Sequence, residues 1–298
     1  MFILVTGANG QLGRSIKSLV EKSKVSHSFI FISRDQLDLS HLNDIRNYFK
    51  AHKFDLIINC AAYTKVDKAE LDERQANLIN HLAVKQIAEI AQSHNIKLIH
   101  ISTDFVFDGL KHNLYLEEDT PLPLNVYGKT KLAGENAILS IMKTNASIIR
   151  TSWVYSEYGN NFVDTILRLI QKGVDLNIVS DQIGTPTYAH DLAQAILNIV
   201  KNEKFAVFEK ASEVYHYSNE GECSWYDFAK EIANISGANC TIHPISTENY
   251  PTAAIRPSRV LMSKRKVSQE FDLKINFWKD SLKNCMKNLP ILSSSNKN

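Results

Sequence analysis

The first twenty residues constrain this chain more than any other stretch. Phe2–Val5 is an apolar run of strand length, and it leads almost at once into TGANGQLG, residues 6–13. Behind the turn, Leu12, Ile16, Leu19 and Val20 recur at helical spacing. Three glycines in a GxxGxxG arrangement are weak evidence alone, because turns use glycine freely. Between a buried strand and a helix they are specific. Small residues let the backbone approach a pyrophosphate, and the helix N-terminus adds free N–H groups and the positive end of its dipole. Gly7, Asn9, Gly10, Gln11, Leu12 and Gly13 are therefore the expected dinucleotide-binding turn.

The pattern then repeats. Phe29–Ser33 reads as a second strand ending in Arg34-Asp35, where such folds meet the adenosine ribose. A carboxylate there suits the 2′-hydroxyl of NAD, and an arginine suits the 2′-phosphate of NADP. Arg34 comes first, so NADPH is expected, with NADH left open by Asp35; Asp38 and Leu39 are placed near the adenine. Asp55–Cys60 is a third strand, with Cys60 a small core residue, and Ala61, Ala62 and Tyr63 follow at the cofactor edge. From Glu73 to His94 one helix carries Ile79, Leu82, Ala83, Ile87, Ile90 and Ala91 on a single face. Lys97–Ile101 is the fourth strand and Ser147–Thr151 another. Helices are expected over Phe162–Ile170 and Asp191–Val200, with a strand at Leu176–Val179.

This β-α alternation predicts an α/β fold, a Rossmann-type doubly wound parallel sheet with ligands beyond the strand C-termini. At 298 residues there is also room for a smaller C-terminal substrate-binding lobe. Past residue 200 the texture changes. Ser224 caps a helix bearing Trp225, Phe228, Ala229, Ile232 and Ala233, with Gly237 as its stop. TIHPIS, AAIRPSR and a helix near Trp278–Leu289 follow, and the polar tail SSSNKN is expected to fray. The expected division gives residues 1–150 and about 161–200 to the dinucleotide domain, and about 151–160 and 201–298 to the lobe.

A formal net charge of +2, with Lys and Arg scattered, argues against nucleic-acid or membrane partners. The four cysteines have neither zinc-like nor CxxC spacing, so free thiols are expected. MFILV lacks the length and basic flank of a signal peptide, and no run approaches membrane-spanning length, which predicts a cytoplasmic protein.

Chemistry concentrates between Leu98 and Gly134, in Ser102, Thr103, Asp104, Tyr127 and Lys131. Tyr127 and Lys131 are four apart and share one helical face. A tyrosine ionises near ~10 in water, and a neighbouring ammonium is expected to lower that value. Thr103 or Ser102 would orient a carbonyl oxygen while Tyr127 protonates it and a nicotinamide delivers hydride. YxxxK is a cheap motif, and Tyr226–Lys230 is a second copy. That copy follows no strand–hydroxyl motif and is assigned to packing with a solvated lysine.

TGANGQLG, NCAAYTKVDKAE, STDFVFDG, PLNVYGKTKLAGE, RTSWVY, GNNF, DQIGTPT and RPSR together resemble the dTDP-4-dehydrorhamnose reductases, a family of extended short-chain dehydrogenase/reductases. The likeness runs from Met1 to about Leu289. It implies NADPH-dependent reduction of the 4-keto group of dTDP-4-dehydro-L-rhamnose to dTDP-L-rhamnose. By position it implies Thr103, Tyr127 and Lys131 as catalytic residues. Asp104, Val106 and Trp153 would form the sugar pocket, and Arg256 would meet the nucleotide end, or else form a surface ion pair. Gln182 and Thr185–Thr187 either touch the ligand or shape a turn. Some family members form a magnesium-bridged dimer through an acidic residue just after the glycine turn. Arg14-Ser15 stands there in this chain, so no metal is expected, although a homodimer stays open.

Rivals of three kinds share the fold, the first a sugar-nucleotide dehydratase or epimerase. A dehydratase would follow the threonine with an Asp-Glu pair, whereas Asp104 precedes Phe105 here. An epimerase would recycle tightly held NAD. A non-catalytic subunit, like the partner of methionine adenosyltransferase, need not keep Thr103, Tyr127 and Lys131 together. A ketoreductase of opposite stereochemistry or of another deoxysugar is not separated by these residues.

Overall fold

The computed structural model describes residues 1–23, 26–206 and 210–289; the SSSNKN tail lies outside them. In chain order the first half runs β1 (Phe2–Thr6), α1 (Gln11–Lys22), β2 (Ser28–Ile32), α2 (Leu42–Ala51), β3 (Leu56–Asn59), α3 (Val66–Leu71), α4 (Glu73–Asn77), α5 (Ala83–Ser93), β4 (Lys97–Thr103) and α6 (Val126–Ile141). Next come β5 (Ala146–Thr151), β6 (Val154–Tyr155), α7 (Phe162–Gln171), β7 (Leu176–Val179), β8 (Ile183–Gly184), β9 (Thr187–Tyr188), α8 (Ala189–Lys201) and α9 (Glu203–Ala206). The remainder is β10 (Glu213–His216), β11 (Cys223–Ser224), α10 (Trp225–Ser236), β12 (Ile242–Ile245), α11 (Arg265–Phe271) and α12 (Trp278–Lys287).

Six strands form one sheet in the order β10-β5-β4-β3-β1-β2, with every pair parallel. The two-residue period of a strand sends Ile3 and Val5 of β1 to one face and Leu4 to the other. The first face packs on α1 and α8 through Leu12, Ile16, Leu192 and Ile196. The second packs on α2, α5 and α6 through Ile45, Phe49, Ile87 and Ile138. Both faces are covered, so the strands read as continuous apolar runs. Because β3 lies on the opposite side of β1 from β2, the winding reverses there. A crevice opens beyond the C-terminal ends of β1 and β3, where open α/β sheets take their ligands.

A second core gathers Val163, Ile166 and Leu167 of α7, Phe228 and Ile232 of α10, and Trp278, Leu282 and Met286 of α12. In this core β7 pairs with β12. The expected division of the chain is redrawn accordingly. Within 161–200 only α8 packs on the sheet, while α7 and β7 belong with the lobe. From 201–298, β10 is the sixth strand of the main sheet and α11 sends Val267 and Phe271 into the sheet's core. Periodicity shows that a helix has an apolar face without saying what covers it, and the four residues of β10 include Glu213 and His216, which mask the strand signal.

The helix expected over Glu73–His94 is interrupted by a π-turn at Leu78–Leu82. The extra residue turns Asn80 inward, leaving it 1% exposed, while Ile79 and Leu82 stay half-buried. Cys60 falls one residue past β3, half-buried and packed against the core on the first face of the sheet.

Candidate active site

The glycine turn is built by close approach. Gly7 adopts φ +69°, and a Cβ there would lie 2.8 Å from the Ala61 amide nitrogen. A Cβ on Gly13 would lie 2.3 Å from the Gly7 carbonyl oxygen. Only glycine fits either position. Gly10 caps α1 with no side-chain hydrogen bond, so the first-turn amides of Gln11, Leu12 and Gly13 have no partner within the helix. This cradle beside Ala61 fits the pyrophosphate of a dinucleotide. Asn9 is exposed at its mouth. Gln11 and Leu12 offer it backbone only. The Gln11 amide donates to the Val154 carbonyl (3.1 Å) and accepts from Ser156 (2.9 Å), and the Leu12 side chain is core.

At the end of β2, Arg34 is exposed and pairs with Asp38 at 2.9 Å. Leu39 is buried in the second-face core and forms a floor. Ala61, Ala62 and Tyr63 line the end of β3, half-buried. Tyr63 is held at both backbone groups by Asn80, which accepts from its N–H (2.8 Å) and donates to its carbonyl (3.1 Å). The same Asn80 amide donates to Thr130 on α6 (3.2 Å), tying the cofactor edge to the helix that carries Tyr127. A Cβ on Gly134 would reach 2.3 Å from the Asn80 carbonyl, so this contact also requires glycine.

β4 runs through Thr103 and breaks into a 3₁₀ turn over Asp104–Val106, with the Thr103 hydroxyl accepting from the Phe105 N–H (3.3 Å). Asn125 caps α6 by accepting from the Gly128 N–H (2.8 Å), and Glu70 accepts from the Val126 N–H (2.8 Å). Gly128 is pressed onto the turn, since a Cβ there would lie 2.1 Å from the Phe105 carbonyl oxygen. These contacts bring Tyr127 beside Thr103, near enough for the threonine hydroxyl to act on the phenol's acidity.

Burial pushes the Tyr127 phenol up to about 12, against the lowering effect of Thr103. The expected lowering by Lys131 is therefore corrected: desolvation and the Asp104 carboxyl raise the phenol, and Lys131 is not among the groups that lower it. The Lys131 Nζ instead donates to the Ile101 carbonyl (2.6 Å) and lies 3.3 Å from His100 Nε2. Burial lowers Lys131 itself to about 8, opposed by Glu135 and Cys60. Tyr127 is thus a neutral phenol, the form required to donate a proton. Burial also raises Asp104 to about 7 against its hydrogen bond from Thr103.

Beyond Thr103 lies a partly open pocket of about 230 Å³. Asp104, Phe105, Trp153, Trp225, Gln182 and Arg256 are among its walls. Trp153 takes φ +45° and stacks on Trp225, with ring centres 3.6 Å apart and planes 10° from parallel. Gly184 makes room, for a Cβ there would lie 2.7 Å from the Trp153 ring. Arg256 lines the pocket and forms an ion pair, binding Asp67 through two nitrogens (3.1 and 2.6 Å). Gln182 also lines it and donates to Thr247 (3.1 Å), whereas Thr185 ties its segment to a distant one by donating to the Gly221 carbonyl (2.8 Å).

Val106 departs from expectation. The 3₁₀ turn directs it away from the pocket, fully buried against Phe107, Tyr115, Val260 and Met262. Arg14 lies over the Tyr158 ring at 4.2 Å, and no three His, Cys, Asp or Glu side chains among the described residues could share a metal.

Sequence reasoning missed Asn80, Trp225 and the buried pair Glu135–Arg150 (2.7 Å), to which Ser102 also donates. Glu135 stands four residues after Lys131, so continuing the Tyr127–Lys131 stripe would have reached it. Asn80 left no signal, because a π-turn is invisible to a regular helical period.

The family model described as the RmlD substrate binding domain matches residues 1–291. A dTDP-4-dehydrorhamnose reductase of Aggregatibacter actinomycetemcomitans is 40% identical over 290 residues, 95% of this chain and 97% of that one. A solved dTDP-4-dehydrorhamnose reductase of Clostridium acetobutylicum superposes with TM-score 0.89 at 35% identity, covering 98% of this chain and all of the other. Another, from Bacillus anthracis in complex with NADP, gives TM-score 0.88 at 34% identity, with 96% and 98% covered.

Proposed function

This chain belongs to the RmlD family of dTDP-4-dehydrorhamnose reductases, and from that premise we propose how it works. It reduces the 4-keto group of dTDP-4-dehydro-L-rhamnose to the alcohol of dTDP-L-rhamnose, using NADPH. Tyr127 is the proton donor. The observation that carries this reading is a buried, neutral Tyr127 phenol beside Thr103, between a dinucleotide cradle and an aromatic pocket.

NADPH, when bound, supplies the hydride. The Gly7–Gly13 turn and the α1 amides hold its pyrophosphate, Asn9, Ala61, Ala62 and Tyr63 border it, and Arg34 with Asp38 and Leu39 receives the adenosine end. Thr103 and Tyr127 donate to the substrate carbonyl oxygen, where negative charge grows as hydride arrives. The Tyr127 proton moves to that oxygen, and the Lys131 ammonium stabilises the phenolate left behind. Asp104 and Trp153 hold the sugar, and Arg256 meets the diphosphate. Trp225, by stacking on Trp153, completes the wall against which the sugar lies.

The test is to supply dTDP-4-keto-6-deoxyglucose, a 3,5-epimerase and NADPH, and identify the sugar formed. Rhamnose supports the reading; talose or fucose assigns another ketoreduction. Purified protein holding stoichiometric NAD without NADPH turnover indicates an epimerase, and no turnover with either cofactor indicates a regulatory subunit. Activity is expected to survive EDTA, and strict dependence on added magnesium overturns the metal-free mechanism. The reading places the enzyme in the cytoplasm and admits a homodimer, which sedimentation of the purified chain decides. All four cysteines are free thiols, in keeping with a reducing compartment, and no described helix is long and apolar enough to cross a membrane.

A further inference from the structure

Beneath Lys131 a polar chain crosses the otherwise apolar sheet. Thr6 at the end of β1 contacts the Asn59 amide (2.6 Å), and that amide contacts His100 Nδ1 (3.0 Å). His100 Nε2 is 3.3 Å from the Lys131 Nζ. The imidazole is completely buried, and Thr6 also accepts from the Ala61 N–H (3.3 Å) at the cofactor edge. Four strand-borne or helix-borne side chains thus connect the glycine turn to the lysine.

An ammonium has three N–H bonds and no acceptor, and a neutral imidazole has one donor and one acceptor. Burial and Lys131 together hold His100 well below the ordinary histidine range, so its ring is neutral. If Asn59 donates to Nδ1, the ring proton sits on Nε2, and the contact with Lys131 is satisfied only by a neutral amine. If Lys131 is an ammonium, Nε2 must accept. Nδ1 then carries the proton and donates to the Asn59 oxygen, reached by a half-turn of the amide that leaves its shape unchanged. The chain has two hydrogen-bond directions, in the first of which Thr6 donates to the Asn59 oxygen and in the second of which it accepts from the Asn59 amide N–H, and the charge on Lys131 selects between them.

We propose that His100 is a positioning residue for Lys131, its Nε2 accepting from the ammonium so that only one N–H is left free to face the cofactor and Tyr127. Ile101 takes the other N–H bond. The inference rests on Lys131 acting as proposed above. The ionisable groups around Lys131 are Glu135 and Tyr127 on its own helix, Cys60 beyond β3 and His100 on β4. None of the other three supplies an acceptor within hydrogen-bond reach of Nζ.

Two substitutions separate positioning from mere packing. His100→Gln keeps an acceptor at the reach of Nε2. His100→Asn keeps only the atoms nearer Asn59. His100→Asn is expected to move the basic limb of kcat/KM down by about one pH unit and to weaken NADPH binding several-fold. His100→Gln is expected to restore the limb. A wild-type limb in His100→Asn, or the same displaced limb in both, overturns the proposal.

If His100→Asn does not fold, nitrogen NMR of the wild-type chain labelled in histidine decides instead. The Nδ1–H tautomer of His100 at pH 6.5, passing to Nε2–H as Lys131 titrates, supports the proposal. The Nε2–H tautomer at pH 6.5 overturns it. Lys131→Met guards the premise: if that variant turns over normally, the role of Lys131 fails. If it is inactive while the His100 variants behave as wild type, only the role of His100 fails.

Discussion

Tyr127–Lys131 and Tyr226–Lys230 have the same spacing on two helices, α6 and α10, and almost nothing else in common. α10 is amphipathic in the ordinary way. It buries Phe228, Ala229, Ile232 and Ala233 and leaves Tyr226 half-buried, with an exposed Lys230 over its ring at 5.3 Å. α6 buries its polar stripe: Tyr127, Thr130, Lys131 and Glu135 face the sheet, and Gly128 and Gly134 admit backbone from neighbouring segments. Desolvation therefore acts on the Tyr127–Lys131 pair. The motif sets only a distance. What gives the pair its chemistry is a strand end that supplies Thr103 and a low-dielectric setting in which protonation states are costly to change.

The sharpest way to break this contrast is to remove both phenols. Tyr127→Phe is expected to lower kcat by about 10³-fold, the range for losing a positioned general acid, with NADPH affinity little changed by fluorescence titration. Tyr226→Phe should leave both quantities within about two-fold. Comparable losses in the two variants, or wild-type turnover in Tyr127→Phe, would sink the distinction.

The next largest effect concerns what holds the buried stripe in place. Glu135 is 1% exposed and Arg150 4% in their side chains, and Ser102 donates to the same carboxylate. Glu135→Gln leaves a buried guanidinium without its charge partner. A cost of about 3 kcal/mol is expected, seen as a fall of several degrees in Tm. An unchanged Tm would mean that Arg150 finds another partner and that α6 is held by packing alone.

Much of this arrangement was legible in the chain before the fold was known. The glycine turn was, because its demand for small residues follows from the close approach of β1 and β3, whatever else the protein does. Tyr127, Lys131 and Thr103 were legible for a similar reason: one helical face and one strand end suffice to bring them together. Features set by distant partners were not. Glu135 finds Arg150 only through the alignment of α6 and β5. α7 could have packed on the sheet as well as on α10. Val106 was missed by one step of local geometry, since the 3₁₀ turn over Asp104–Val106 swings its side chain into a separate core. The Tyr127 phenol was misjudged because spacing reveals a neighbouring charge but not the depth of burial opposing it.

The pH dependence sharpens the comparison with a smaller effect. Lys131 is lowered in the fold to about 8 by burial. Its ammonium is present below that pH and lost above it, so kcat/KM should fall roughly tenfold per unit once pH passes about 8. Stability responds with the opposite sign. Between about 8 and the ordinary lysine value the unfolded chain binds this proton more readily than the folded one, so rising pH favours folding through this group. A fall in activity accompanied by unfolding would point to a cause other than Lys131. The two readouts diverging, by initial rate and by denaturant midpoint, is the signature of a buried catalytic lysine.

The smallest expected effect belongs to the solvated partner. Lys230 contributes only an exposed cation–π contact to Tyr226, worth about 0.5 kcal/mol. Lys230→Met should therefore lower Tm by no more than about 1–2 °C and leave kcat, KM and the basic limb where they are. The methionine keeps most of the stem that covers the ring, so even the loss of packing is small. The value of this variant lies in its silence. Lys131→Met removes the same charge at the same spacing from a tyrosine, and a large effect there against none here attributes the chemistry to burial beside Thr103. If Lys230→Met alters turnover, α10 takes part in the reaction, and the contrast between the two helices fails at its weaker end.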